Sequence, residues 1–126
     1  MKRGWIAGLL IALSLIAGLT EYGYVRASTS MYLSLLDEAQ ERMSKGEVRD
    51  AQSTAERLER RFEGQSGMFN IFMYHSEVGH IASDLSRLKE YARTGDASEF
   101  LATASCAKTE IEAIREAKSV RWDNIF

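Results

Sequence analysis

The sequence predicts an all-α protein in which an N-terminal transmembrane helix is followed by a small antiparallel four-helix bundle made of two helical hairpins. Three observations indicate this fold class. Proline is absent from the 126 residues, which suits long uninterrupted helices. Apolar residues recur at alternating spacings of three and four, as on one buried helix face. The N-terminal segment at residues 4–20 carries no charge.

The uncharged segment is the predicted membrane span. Its 17 residues form a helix of about 25 Å, slightly shorter than the ~30 Å hydrocarbon core of a bilayer. Trp5 near the start of the span, and Tyr22 and Tyr24 beyond its end, suit the two headgroup zones. We therefore expect the protein to contact the membrane through residues 4–20.

The charges that flank the span predict its orientation. Lys2 and Arg3 precede it and outweigh the pair Glu21 and Arg26 that follows it. Positive residues favour the cytoplasmic side. We expect a single-pass protein of the cell membrane, with a cytoplasmic N-terminus and an extracytoplasmic C-terminal domain. The expected domains are an anchor at 1–27 and a helical bundle at 28–126.

A cleaved secretory signal is the alternative interpretation of the same segment. Val25 and Ala27 are small residues of the kind that a signal peptidase accepts. They lie eight residues or so beyond Leu19, which is far for a cleavage region, so the sequence favours retention. A lipoprotein anchor is excluded, because no cysteine follows the apolar run.

Charge and cysteine content exclude several partners. The 18 acidic residues slightly outnumber the 16 basic ones, and no basic run is present, so nucleic acid is not an expected partner. Cys106 is the only cysteine, which rules out an internal disulfide and a Cys-rich zinc site. A homodimer remains open, either through Cys106 or through close approach of two anchors at Gly4 and Gly8.

Four apolar stripes, together with the residues expected to start, end or interrupt helices, define the expected bundle helices. Ser28–Ser30 is a helix start or a soft joint, Gly46 and Gly95 end helices, and residues 63–67, with two glycines, form a flexible loop. The stripes are Tyr32, Leu35, Leu36, Ala39 and Met43; Val48, Ala51, Ala55, Leu58 and Phe62; Ile71, Tyr74, Val78, Ile81, Leu85, Leu88 and Ala92; and Phe100, Ala104, Ala107, Ile111 and Ile114.

An internal repeat supports the two hairpins. A shift of 49 residues places Leu36 on Leu85 and Gly46 on Gly95. Asp96, followed by Glu99, has the spacing of a capping box at the start of the fourth helix. Two copies of a helix-Gly-acid-helix unit pack most simply as a closed bundle, while a short stack of the tetratricopeptide type is the alternative.

One cluster carries metal-ligand chemistry: His75, Glu77, His80 and Asp84. On a helix, the last three fall roughly on one side, and imidazole and carboxylate groups bind divalent metals. Di-iron bundles require a second Glu-x-x-His motif and two further glutamates, which this chain lacks. The sequence favours a solvated helix face with local ion pairs over a metal site.

The aromatic start of the predicted third helix is a candidate partner-binding patch, comprising Phe69, Phe72, Met73 and Tyr74. These residues place more apolar surface on one turn than a single stripe requires. Packing against the apolar end of the chain at Trp122, Ile125 and Phe126 is the favoured alternative. Hydrolase, phosphate-loop and dinucleotide signatures are absent from the sequence, so we expect no enzymatic activity and no cofactor.

Several short motifs resemble an uncharacterised family, domain of unknown function 4363. They are the anchor, His75-x-Glu77, the Leu85-x-x-Leu88-x-x-Tyr91 run, the turn near Asp96 and the closing Asn124-Ile125-Phe126. The resemblance covers nearly the whole chain. It implies a protein with one membrane segment, largely found in spore-forming Gram-positive bacteria, with a suspected envelope or sporulation role. It implies no activity, cofactor or catalytic residue.

These observations lead to two expected functions of different classes. The first is a non-enzymatic, membrane-anchored bundle that serves as an interaction or accessory module for another envelope protein. The second is a bundle that senses a metal or small ligand through His75, Glu77, His80 and Asp84. A secreted helical protein would result if the signal were cleaved.

Overall fold

A computed structural model describes the backbone of residues 2–72 and 75–125 and the side chains of residues 2–69 and 76–117. Within these ranges the chain forms helices and no strand, which confirms the all-α prediction. The helices are α1 at Lys2–Ser44, α2 at Val48–Phe72, α3 at His75–Thr94 and α4 at Ala97–Ile125.

Helix α1 runs for 43 residues without interruption. Residues 28–30 therefore continue the helix of the apolar segment as one long helix, and no helix start or joint is present there. Ser28 and Thr29 are buried against the bundle, and the Thr29 hydroxyl donates to the Arg26 carbonyl oxygen at 3.1 Å. Because this local hydrogen bond satisfies the hydroxyl inside the helix, the polar residues do not break it.

The N-terminal part of α1 lies outside the bundle. It is long and apolar enough to cross a membrane, and none of its apolar window is buried. Its two hydroxyl side chains, Ser14 and Thr20, donate to the carbonyl oxygens of Leu10 and Ile16 at 2.9 and 2.8 Å. Their hydrogen bonds are thus satisfied within the helix, as a lipid environment requires.

The glycine turns at the ends of α1 and α3 have the same geometry. Gly46 and Gly95 both have positive φ angles, 79° and 74°. At the first turn, Glu47 N donates to Arg42 O at 2.9 Å; at the second, Asp96 N donates to Tyr91 O at 2.9 Å. Each is a six-to-one hydrogen bond that closes a helix around a left-handed glycine. The two predicted helix ends are therefore confirmed.

The second predicted break is also wrong, because α2 continues through residues 63–67 to Phe72. Two glycines inside a helix cost about 1 kcal/mol each relative to alanine. Contacts on both sides of them offset this cost. Phe69 is only 2% exposed, and Gln65 accepts a hydrogen bond from Tyr32 on α1. Tertiary packing has overridden local propensity here.

The four helices share one apolar core. Helix α1 packs on α2 and α4, and α3 packs on the same two helices. The predicted stripes supply the buried side chains, although Val48 and Leu35 are only partly buried and the side chains of Ile71 and Tyr74 lie outside the described residues. The core begins at Val25, which is 1% exposed and belongs to the same helix as the apolar N-terminal segment.

Candidate functional site

The three described residues of the predicted metal cluster have different surroundings. The side chain of His75 lies outside the described residues. Glu77 is half-buried and His80 is exposed, as a solvated helix face would have them. Asp84, in contrast, is only 4% exposed, so the expectation of a solvated position is wrong for this residue.

A carboxylate from α4 joins the α3 side chains. Glu77, His80 and Glu110 line a cleft of about 210 Å³ between α3 and α4, with Ala113 and Ile114 as its apolar wall. The site therefore differs from the predicted one, since Glu110 is added and Asp84 does not line the cleft. No group of three or more side chains within the described ranges has metal-binding geometry.

Asp84 and Glu110, which we call the carboxyl pair, meet across the interface between α3 and α4. Asp84 Oδ1 accepts a hydrogen bond from Arg87 Nη2 at 2.5 Å. The other oxygens, Asp84 Oδ2 and Glu110 Oε2, are buried and have no amide, hydroxyl or cationic donor among the side chains that the structure describes. The two carboxyl groups lie close enough to hydrogen-bond to each other, which requires a proton between them.

The surroundings of Glu110 favour its neutral form. Burial is the largest cause, followed by the hydrogen bond to Asp84 and the negative charge of Asp84; together they raise the pKa of Glu110 to about 7. The positive charges of His80 and Arg87 oppose this rise. A carboxyl group that titrates near neutral pH can bind and release a proton under ordinary conditions.

The spacing of ligand residues along a single helix does not reveal Glu110, because it lies on α4. Its position nevertheless carried a signal. Asp84 lies three residues after Ile81 and four before Leu88, and Glu110 lies three after Ala107 and four before Ile114. Both carboxyl groups thus border an apolar stripe, where a side chain is only partly in water. The sequence does not show that these two stripes pack against each other.

The predicted aromatic patch is largely a core feature. Phe69 stacks on Phe62 with ring centroids 5.4 Å apart, and it contacts Tyr24 and Tyr32 at 5.9 and 6.0 Å. We call these four residues the aromatic cluster. Phe69 is therefore buried against α1 rather than presented to a partner. The side chains of Phe72, Met73 and Tyr74 lie outside the described residues, as do those of Trp122, Ile125 and Phe126.

The residues considered for dimer formation are exposed. Cys106 is an exposed thiol on α4. Gly4 and Gly8 lie on the part of α1 that does not contact the bundle, with open space where a Cβ would be. These positions leave room for a second chain and do not by themselves identify one.

The fold and site define an all-α protein of four helices, whose first helix combines a candidate membrane span with one wall of a packed bundle. The chain belongs to the family described as Domain of unknown function (DUF4363), whose model matches residues 19–125. This match confirms the resemblance drawn from the short motifs. No curated protein and no solved structure matches the chain.

Proposed function

We propose that this chain is a single-pass membrane protein whose extracytoplasmic bundle serves as an interaction or accessory module for another protein of the bacterial envelope. The observation that carries the proposal is the continuity of α1, which runs from the apolar segment into the core without a break. A single helix that belongs to both parts would hold the bundle beside the membrane.

The burial of Val25 supports retention of the anchor. Cleavage after Ala27 would remove Val25 and Tyr24, which contact the core, from the first bundle helix. Signal peptidase sites lie in accessible segments, whereas Val25 is buried inside a continuous helix. The excess of Lys2 and Arg3 before the span supports a cytoplasmic N-terminus.

The cross-helix contacts support an antiparallel bundle of two hairpins. Along α1, Tyr32 bonds to Gln65, whereas Arg42, further along, pairs with Glu47 just before α2. Between α2 and α3, Glu59 accepts from Lys89 at 3.1 Å. The first two contacts support opposite directions for α1 and α2, and the repeated glycine turns support two hairpins of the same kind.

The exposed surface of the bundle offers one apolar position for a partner. Outside the N-terminal segment, Met68 is the large apolar side chain that the described part of the bundle exposes, at 44%. It lies on α2 next to Phe69, near the membrane end of the bundle. Its neighbour Phe69 is buried in the core, which anchors the backbone that presents Met68.

In-cell cross-linking tests the interaction. A photoreactive residue placed at Met68 should give a discrete adduct with one envelope protein, and the same residue at exposed Ser53 on the same helix should not. Identical patterns at both positions, or no adduct at Met68, would count against a partner on this surface.

Retention is tested separately by mass. The intact protein recovered from membranes should carry its complete N-terminus and resist extraction by carbonate. A mature protein in the soluble fraction that begins at or after Ser28 would establish the secreted alternative and contradict the proposed membrane anchor.

Ligand sensing is the second candidate function, favoured by the cleft that Glu77, His80 and Glu110 line together. A divalent ion that binds there should raise the unfolding temperature of the wild-type protein and not that of His80→Ala. If no divalent ion shifts the wild-type transition, this candidate is excluded.

A further inference from the structure

We propose that Asp84 and Glu110 form a proton-binding site that joins α3 to α4, and that loss of the shared proton loosens this interface. The inference goes beyond the proposed function, because it concerns how the bundle itself responds to its surroundings. All the side chains involved lie within the described residues and outside the apolar N-terminal segment.

The geometry of the pair calls for a proton. Asp84 comes from α3 and Glu110 from α4, and each has one buried oxygen without a donor among the described side chains. An unpartnered buried acceptor costs about 1–3 kcal/mol, and more when it is charged. A proton shared by the two carboxyl groups supplies a donor to this pair, and it also removes one of two adjacent negative charges.

The charges around the pair place that proton on one of its members. On α3, Arg87 pairs with Asp84 Oδ1 and His80 faces Glu110 from the cleft. Glu77 lines the same cleft. Burial and the neighbouring charge of Asp84 favour the neutral form of Glu110, so we assign the proton to Glu110.

The ion pairs that α1 and α2 make with the neighbouring helices involve other side chains. On α1, Asp37 pairs with Lys108 of α4. On α2, Glu59 pairs with Lys89 of α3. The charged groups that act on Glu110 are Asp84, His80 and Arg87 of α3, so the proton state of Glu110 is set by α3 and α4.

The direction of the pH response follows from the raised pKa of Glu110, about 7. In the unfolded chain a glutamate titrates near 4.3. The neutral form therefore stabilises the folded state fully below that value, and this stabilisation is lost as the pH rises through about 7. The interface between α3 and α4 is tight in mild acid and looser in mild base.

The environment that the site would sense depends on the orientation proposed above. If the bundle is extracytoplasmic, the pair is exposed to external pH. Loosening of α3 against α4 would then change the surface that the bundle presents to a partner. The chemical event itself requires only the folded bundle.

Thermal unfolding of the full-length protein in detergent tests the site. Between about pH 5.5 and about pH 8.5, the wild-type unfolding temperature should fall by at least about 5 °C more than that of Glu110→Gln. Glutamine keeps a donor toward Asp84 and does not titrate. Equal pH dependence in the two proteins would overturn the proposal.

Two further variants separate the carboxyl pair from its titratable neighbour. His80→Gln should keep the wild-type pH dependence; if it alone abolishes the dependence, the histidine is the sensor and the carboxyl pair is not. Should Glu110→Gln fail to fold, Asp84→Asn removes the neighbouring charge and should reduce the same pH dependence. An unchanged dependence in Asp84→Asn would again overturn the proposal.

Hydrogen exchange locates the effect. After correction for the intrinsic pH dependence of exchange, amides of α3 and α4 near the pair should lose protection at the higher pH, whereas those of α1 and α2 near Tyr32 and Phe62 should not. Uniform loss across the bundle would contradict a local site. Because purified protein is used, failure of this test is distinct from failure of the proposed anchor or orientation.

Discussion

The aromatic cluster between α1 and α2 and the carboxyl pair between α3 and α4 both place polar atoms at a helix interface. They differ in how those atoms are satisfied. In the aromatic cluster, the Tyr32 hydroxyl donates to Gln65 Oε1 at 2.5 Å. In the carboxyl pair, each side chain has one buried oxygen without a donor, and a hydrogen bond between the two carboxyl groups requires a shared proton.

This difference assigns different roles to the two interfaces. Burial raises the pKa of the Tyr32 hydroxyl, so it remains a donor throughout the physiological range and its interface is insensitive to pH. The same physical cause, burial, brings the pKa of Glu110 to about 7. Burial thereby keeps the Tyr32 hydroxyl protonated over the physiological range, whereas it lets the Glu110 carboxyl gain or lose a proton near neutral pH.

The aromatic cluster also adjoins the apolar segment of α1, since Tyr24 contacts Phe69 and lies within four residues of Thr20. The carboxyl pair lies on α3 and α4, which neither contain that segment nor contribute to the aromatic cluster. The interface between α1 and α2, which adjoins the candidate anchor, is therefore the one whose stability does not depend on pH. The interface between α3 and α4 is the one whose stability does.

Truncation of Phe69 should have the largest effect on this contrast. Phe69→Ala removes a ring that is stacked on Phe62 and touches two tyrosines, and we expect it to lower the free energy of unfolding by about 3–5 kcal/mol. Met68→Ala is the matched control, because this neighbouring side chain is exposed, and it should change stability by less than about 0.5 kcal/mol. Chemical unfolding in detergent measures both, and similar losses would show that the cluster is not a core.

Replacement of the carboxyl pair should have an intermediate effect and the opposite sign. At pH 8, Asp84→Leu combined with Glu110→Met removes two carboxyl groups that each have one buried oxygen without a donor, and apolar replacement of buried charges often stabilises by about 1–4 kcal/mol. We expect the lower part of this range, because Glu110 is only half-buried and solvent screens its charge.

The gain from the double variant should shrink as the pH falls. The stabilisation that neutral Glu110 provides is present below the ordinary glutamate pKa and is lost through about pH 7. Unfolding curves at about pH 5 and about pH 8 measure the difference. A gain that is equal at both values would mean that no proton is shared in the native protein.

The sequence predicted the features that depend on local pattern. Each apolar stripe follows the helical period, and the residues Leu36, Leu58, Leu88 and Ala104 are fully buried. Gly46 and Gly95 end their helices because a left-handed residue strongly favours glycine. These rules need only neighbours in the chain, so periodicity and turn chemistry were sufficient.

The errors arose where distant residues decide the local structure. Residues 63–67 contain two glycines and look like a loop, yet Tyr32 and Phe69 hold them in α2. Glu110 lies 26 residues from Asp84, and only the packing of α3 on α4 brings the two together. An apolar stripe shows which face of a helix is buried, but not which other helix covers that face. The candidate site depends on the packing of α3 against α4.

Removal of the Tyr32 hydroxyl should have the smallest effect on stability. It tests whether the stability of the interface between α1 and α2 is independent of pH. Tyr32→Phe removes one neutral hydrogen bond, so we expect a loss of about 0.5–1.5 kcal/mol. Because burial raises the pKa of Tyr32, this loss should be the same in mild acid and mild base.

A double-mutant cycle assigns that loss to the Gln65 contact. If the hydroxyl acts through Gln65, Tyr32→Phe should cost much less in a Gln65→Met background than in the wild type. The two changes would be additive if the hydroxyl instead bonded to water. A coupling energy that varied between about pH 5.5 and about pH 8.5 would show that proton sensitivity is spread through the bundle. The interface next to the candidate anchor would then not differ in this respect from the interface that holds the carboxyl pair.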